Sequence, residues 1–132
     1  AGKNYNREKL KEVLLECGLD LISMDKKLNT YSKGMRQKVG IAIALAKEAN
    51  VYLLDEPASG LDPLASTELS SILKKLSKSG AAILMASHDI FRIRETCDRI
   101  GILKNGELVK EMDTANVSTK ELENIYIEYM KD

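Results

Sequence analysis

The chain has 132 residues, enough for one domain with a modest core, and its 44% hydrophobic and 30% charged content is that of an ordinary globular protein. Twenty basic residues balance 20 acidic ones, which excludes a global basic field that would hold nucleic acid or an anionic membrane. No apolar run approaches the ~20 residues of a membrane span, and the single histidine argues against a metal site built on His and Cys. Cys17 and Cys97 are far apart and lack CxxC spacing, so they read as buried, reduced thiols.

Ala1 to Tyr5 reads as a polar, frayed start. Leu10, Val13, Leu14 and Cys17 recur at helical spacing and predict an amphipathic helix, capped by Asn6 and stopped by Gly18. Residues 19–30 read as an irregular linker. A second helix opens in Tyr31-Ser32-Lys33-Gly34-Met35-Arg36-Gln37-Lys38 and runs to about Ala49, with Met35, Val39, Ala42, Ile43 and Ala46 facing inward. Ser32 suits its N-cap. Gly34 in the first turn costs up to ~1 kcal/mol against Ala, tolerable where something must approach the backbone closely. Free N–H groups at such an end suit a phosphate, and Lys33, Arg36 and Lys38 add positive charge. A solvated basic helix start is an equal alternative.

Val51 to Leu54 is an apolar run of strand length, and Asp55 and Glu56 follow at its carboxyl end, where ligands bind in parallel α/β sheets. One carboxylate can hold Mg²⁺ while the other orients water; the alternative is a strand that ends in a charged turn. Pro57 to Leu61 is a loop of breakers. Asp62 then caps a helix with Pro63 at its first position, a buried stripe of Leu69, Ile72, Leu73 and Leu76, and Gly80 at its end. Ala81 to Ala86 predicts a second buried parallel strand, followed by Ser87-His88-Asp89. A lone histidine is usually structural, but at a strand's carboxyl end it becomes a candidate for chemistry. Ile90 to Cys97 reads as a short helix with Ile90, Ile93 and Cys97 inward. Ile100–Leu103 and Leu108–Met112 form a hairpin around Asn105-Gly106. After a linker, Ser118 and Glu121 make a capping box for a last helix with Leu122, Ile125, Tyr126, Tyr129 and Met130 on its apolar face.

The order of Ser32-Lys33-Gly34, Leu53-Leu54-Asp55-Glu56-Pro57, Ser59-Gly60-Leu61-Asp62 and Ser87-His88-Asp89 resembles the C-terminal half of an ABC-type ATPase, the nucleotide-binding subunit of an ABC transporter. The likeness runs from about Asn29 to Met112. It implies a partial P-loop NTPase (RecA-like) α/β core with a mostly parallel sheet and a C-terminal β-hairpin. Residues 1–49 would be part of the helical subdomain, 50–113 the C-terminal part of the ATPase core, and 114–132 a C-terminal helix. By the same resemblance Asp55 helps coordinate Mg²⁺, Glu56 polarises the attacking water, and His88 contacts and senses the γ-phosphate. Ser32 and Gly34, with Lys33 between them, match the signature that binds ATP held by a second ATPase subunit, identical or not. Ser59, Gly60, Leu61 and Asp62 match the loop that crosses to that subunit.

The signature departs from the common Leu-Ser-Gly-Gly-Gln, with Tyr31, Lys33 and Met35 at its first, third and fifth places, and is similar to that of bacterial ABC-2-type exporters. No G-x-x-x-x-G-K-[ST] loop occurs, so the chain reads as a fragment not expected to hydrolyse ATP alone. Loss of the strand that leads into that loop would leave two unpaired sheet edges, which implies rearrangement or self-association. The parent is expected to be cytoplasmic, peripheral at the inner face of the cell membrane through a transmembrane permease, with no nucleic-acid partner. Two alternatives are a soluble ABC-type ATPase of DNA repair or translation, and a non-catalytic dimerisation partner that supplies signature residues.

Overall fold

Each α-helix among the described residues begins at a side chain that accepts a hydrogen bond from the backbone N–H three residues on. Asn6, Asp20, Ser32, Asp62, Asp89 and Ser118 are these caps. They set the starts of α1 (Arg7–Glu16), α2 (Leu21–Met24), α3 (Lys33–Ala46), α4 (Pro63–Lys78), α5 (Ile90–Thr96) and α6 (Thr119–Met130). The computed structural model describes residues 6–131, so the frayed start expected at Ala1 to Tyr5 lies outside the described residues. The chain divides between Ala86 and Ser87 into two compact units.

In the N-terminal unit, β1 (Val51–Asp55) and β2 (Ala82–Ala86) pair in parallel, with Val51 opposite Ala82 and Asp55 opposite Ala86. α4 makes the crossover between them. Tyr52 is buried with Leu69, Ile72, Leu73 and Leu76 of α4, Val13 and Cys17 of the α1 segment, and Ile41 and Ala42 of α3. Leu54, Ile83 and Met85 pack against this cluster from the sheet. The opposite face is open. Val51, Leu53 and Leu84 are 63%, 74% and 69% exposed. The continuous burial expected of both strands is therefore corrected to burial on one face only. One layer of helices covers this sheet, whereas parallel sheets ordinarily carry a layer on each side.

Two further expectations change. Residues 19–30 are not irregular: Asp20 caps α2 and also accepts from the Ser23 hydroxyl, and Leu28–Thr30 forms a 3₁₀ turn. The inner face of α3 is rotated from the predicted one, because Ile41 joins the α1 core while Ile43 is 53% exposed.

In the C-terminal unit, β3 (Arg99–Lys104) and β4 (Glu107–Asp113) form the antiparallel hairpin. Asn105 and Gly106 turn it, with φ of +52° and +83°. A bulge between Ile102 and Leu103 shifts the register, which alternation alone does not announce. Ile100, Val117 and Leu122 form the core, with Ile90, Ile93, Met112 and Ile125 packed against it. Thr114 ties the start of β3 to the chain after β4, its hydroxyl donating to the carbonyls of Cys97 and Asp98 at 2.7 and 3.1 Å. Tyr126, expected inside, is exposed. β1–β2 and β3–β4 are separate two-stranded sheets.

Both cysteines are free thiols, Cys17 buried and Cys97 only half-buried. Burial, with a smaller push from the Glu16 carboxylate, raises the Cys17 thiol from 9.0 to about 11. The folded state therefore keeps this proton where the unfolded thiol loses it. Its contribution to stability is full below pH 9.0 and is lost as pH rises toward about 11. Urea midpoints of the unmodified chain are expected to fall more steeply between these pH values than those of Cys17→Ala; equal slopes would remove the thiol from the account.

Candidate functional site

The candidate residues of the N-terminal unit gather at two chain features, the carboxyl end of β1 with its following loop and the first turn of α3. Asp55 ends β1 on the same face as Leu53 and is exposed. Glu56 follows, half-buried, and its backbone N–H donates to the Ala86 carbonyl at 2.9 Å, which carries the parallel ladder one residue past β1. The φ of Glu56 is +44°, a left-handed conformation that a non-glycine residue seldom adopts. Strain of this kind, of order 1–3 kcal/mol, persists where surrounding structure fixes it, and it gathers at functional sites. The ladder bond on one side and the buried Pro57 on the other fix it here.

The loop is built of short turns. The Ser59 N–H donates to the Glu56 carbonyl at 3.0 Å and that of Leu61 to Ala58 at 3.1 Å. Gly60 has φ +68°, and Asp62 closes the loop by accepting from the Ala65 N–H at 2.9 Å. Ser59 and Asp62 are exposed.

At the start of α3, Ser32 accepts from the Met35 N–H at 3.2 Å, so its hydroxyl is already engaged as a cap. Gly34 faces the loop and α4. A Cβ there would stand 3.4 Å from Leu61 Cδ2 and 3.5 Å from Ala65 Cβ, ordinary contact rather than a clash. The signature-like turn and the Ser59–Asp62 loop thus meet within one unit.

The basic field predicted for this helix start is reduced. The Arg36 guanidinium donates to the Tyr31 carbonyl at 2.8 Å, and the Lys38 ammonium to the Gly18 carbonyl at 2.9 Å and to Glu68. The Lys33 side chain, exposed, makes no hydrogen bond or ion pair among the described residues. Tyr31 is a residue whose part was not legible. It is 5% exposed, and its hydroxyl donates to the Ser23 carbonyl at 2.7 Å, fastening α2 to the start of α3. A bulky polar-tipped aromatic before a capping serine is the signal that points to it.

His88 belongs to the C-terminal unit, exposed just ahead of α5. The adjacent Asp89 caps α5, accepting from the Arg92 N–H at 3.0 Å, and Ser87 Oγ accepts from the Asp89 N–H at 3.2 Å. The polar triplet is therefore partly a helix-capping device.

Among the described residues, no three His, Cys, Asp or Glu side chains cluster as a closed metal site. Asp55 and Glu56 still offer two hard oxygen donors at one strand end. That fits Mg²⁺, which takes one or two carboxylates and completes its shell with water and substrate phosphates. When bound, the ion would supply charge neutralisation at those phosphates.

The ABC transporter family model matches residues 2–59. A fructose import ATP-binding protein of Bifidobacterium longum is 40% identical over 115 residues, covering 87% of this chain and 22% of the relative. A bacitracin transport ATP-binding protein of Enterococcus faecalis is 36% identical over 108 residues, covering 78% of this chain and 35% of the relative. The solved dimeric ATP-binding cassette MJ0796, bound to ADP and Pi, superposes with a TM-score of 0.74 at 30% identity, over 86% of this chain and 51% of that one. The chain spans about a third of the length of the curated relatives it matches. The α/β fold with a parallel sheet and a C-terminal hairpin is that of these cassettes.

Proposed function

We propose that the chain, as a member of the ABC transporter family of ATP-binding proteins, is the signature-to-switch part of a subunit that hydrolyses ATP to power transport across a membrane. The observation that carries this reading is the Asp55-Glu56 pair at a parallel strand end, with Glu56 held at φ +44° by the ladder. In this reading Asp55 holds Mg²⁺, and Glu56 orients and polarises the attacking water. His88 contacts the γ-phosphate. Ser32, Lys33, Gly34, Ser59 and Asp62 face nucleotide held by a second ATPase subunit. The free N–H groups at the start of α3 support the signature assignment, since anions are stabilised there. A transmembrane permease is the further partner, and would keep the subunit at the inner face of the membrane. No helix among the described residues is long and apolar enough to cross one. An import protein and a bacitracin transport protein match at comparable identity, so an exporter of the ABC-2 type is proposed on the Tyr31–Met35 variant of the signature alone.

The division of labour is tested by calorimetric titration of this chain with Mg-ATP. The 132 residues contain no glycine-rich phosphate cradle, so no saturable binding in the micromolar range is expected. A single saturable site would place the primary nucleotide contacts within these residues and overturn the assignment of signature and loop to nucleotide held elsewhere.

A further inference from the structure

Of the three basic side chains at the start of α3, two are consumed by the fold, Arg36 on the Tyr31 carbonyl and Lys38 on Gly18 and Glu68. Lys33 is turned to the Ser59–Asp62 loop instead. Its Nζ, Cδ and Cε lie 2.8, 3.4 and 3.6 Å from the point where a Cβ on Gly60 would stand. Gly60 is suited to that place twice over: its φ of +68° disfavours any side chain, and a side chain would occupy the path of the lysine. On the neighbouring side, Leu61 and Ala65 lean on Gly34.

We propose that Lys33 is a positioning residue, its aliphatic stem laid across Gly60 so that the loop and the first turn of α3 are presented as one surface. Lysine side chains commonly cover neighbouring surface in this way, and here Cδ, Cε and Nζ all lie against the loop. Without the stem, the loop is held by Asp62 at its far end, by its own short turns and by the Leu61–Gly34 contact. The functional weight of the proposal rests on the ATPase reading above, but the placement of Lys33 does not.

The test is backbone amide hydrogen exchange in this chain without nucleotide, read at Ser59 and Leu61, whose N–H groups close the turns of the loop. Lys33→Ala is expected to speed exchange there at least about threefold while amides of Leu69 to Leu76 keep their rates; Lys33→Met, which retains a stem, should match the unmodified chain. Unchanged exchange in Lys33→Ala, equal acceleration in Lys33→Met, or a uniform change across α4 would each overturn the proposal. In the subunit that carries this chain, Lys33→Ala should then lower kcat severalfold, and Lys33→Met, which keeps the stem but not the charge that faces nucleotide, should recover kcat more fully than KM for ATP. If the exchange result holds and kcat does not move, the placement of Lys33 stands and the ATPase role given to this loop fails.

Discussion

Glu56→Gln, made in the subunit that carries this chain, is expected to lower ATP turnover by about 10²–10³-fold while leaving nucleotide affinity nearly unchanged. The amide keeps the size of the side chain and both of its polar atoms, but it cannot accept a proton or carry the charge that, in the proposed role, polarises water. The backbone conformation is fixed by the bond from Glu56 to the Ala86 carbonyl and by Pro57, neither of which the substitution touches. Folding should therefore be intact, and thermal unfolding of the variant supplies that control. Steady-state turnover and equilibrium binding of ATP together decide the matter: wild-type kcat in a folded, ATP-binding variant would take Glu56 out of the chemistry.

Leu73→Ala is expected to be among the most damaging single changes to folding. Leu73 lies on α4, 3% exposed, among Leu69, Ile72, Leu76 and Tyr52 in the core of the N-terminal unit. Truncating a buried leucine removes its transfer energy and leaves a cavity, together about 2–5 kcal/mol. With an m-value of roughly 1–3 kcal/mol/M, the urea midpoint should fall by about 1–2 M. Leu53→Ala is the informative counterpart. Leu53 is just as apolar but 74% exposed on the open sheet face, so its loss should stay within about 0.5 kcal/mol. Equal losses for the two variants would mean that the outer face of β1 is covered in solution.

That contrast also marks where reading the sequence succeeds. Cap residues at Asn6, Ser32, Asp62 and Ser118 announce helix starts because the chemistry is local, one oxygen serving one N–H three residues on. The α4 stripe of Leu69, Ile72, Leu73 and Leu76 is legible for the same reason, since a single surface buries it. The strands mislead. Val51 to Leu54 is apolar at every position, and nothing in the run tells which face has a neighbour. The stripe on α3 fails similarly, because the position of α1, not the period, decides that Ile41 rather than Ile43 is buried.

The candidate site was legible as residue types and spacing but not as geometry. Asp55 and Glu56 could be placed at a strand end, yet the left-handed backbone of Glu56 has no signature in the letters. The basic letters near Ser32 read as one field, whereas tertiary partners remove Arg36 and Lys38 from it. Tyr31 reads as a departure from a motif and turns out to be a fastening for α2, a contact over eight residues that spacing alone does not reveal.

The backbone at Glu56 sets the two kinds of selection against each other. At φ +44° a glycine or asparagine sits more easily than a glutamate. A library of this chain sorted only for resistance to unfolding should drift toward those residues at position 56 and discard the carboxylate. A library sorted for turnover in the longer subunit should keep it and accept the weaker fold. On the role proposed for Glu56, position 56 would be a place where robustness and chemistry trade against each other, and its residue would report which of the two a lineage has been held to.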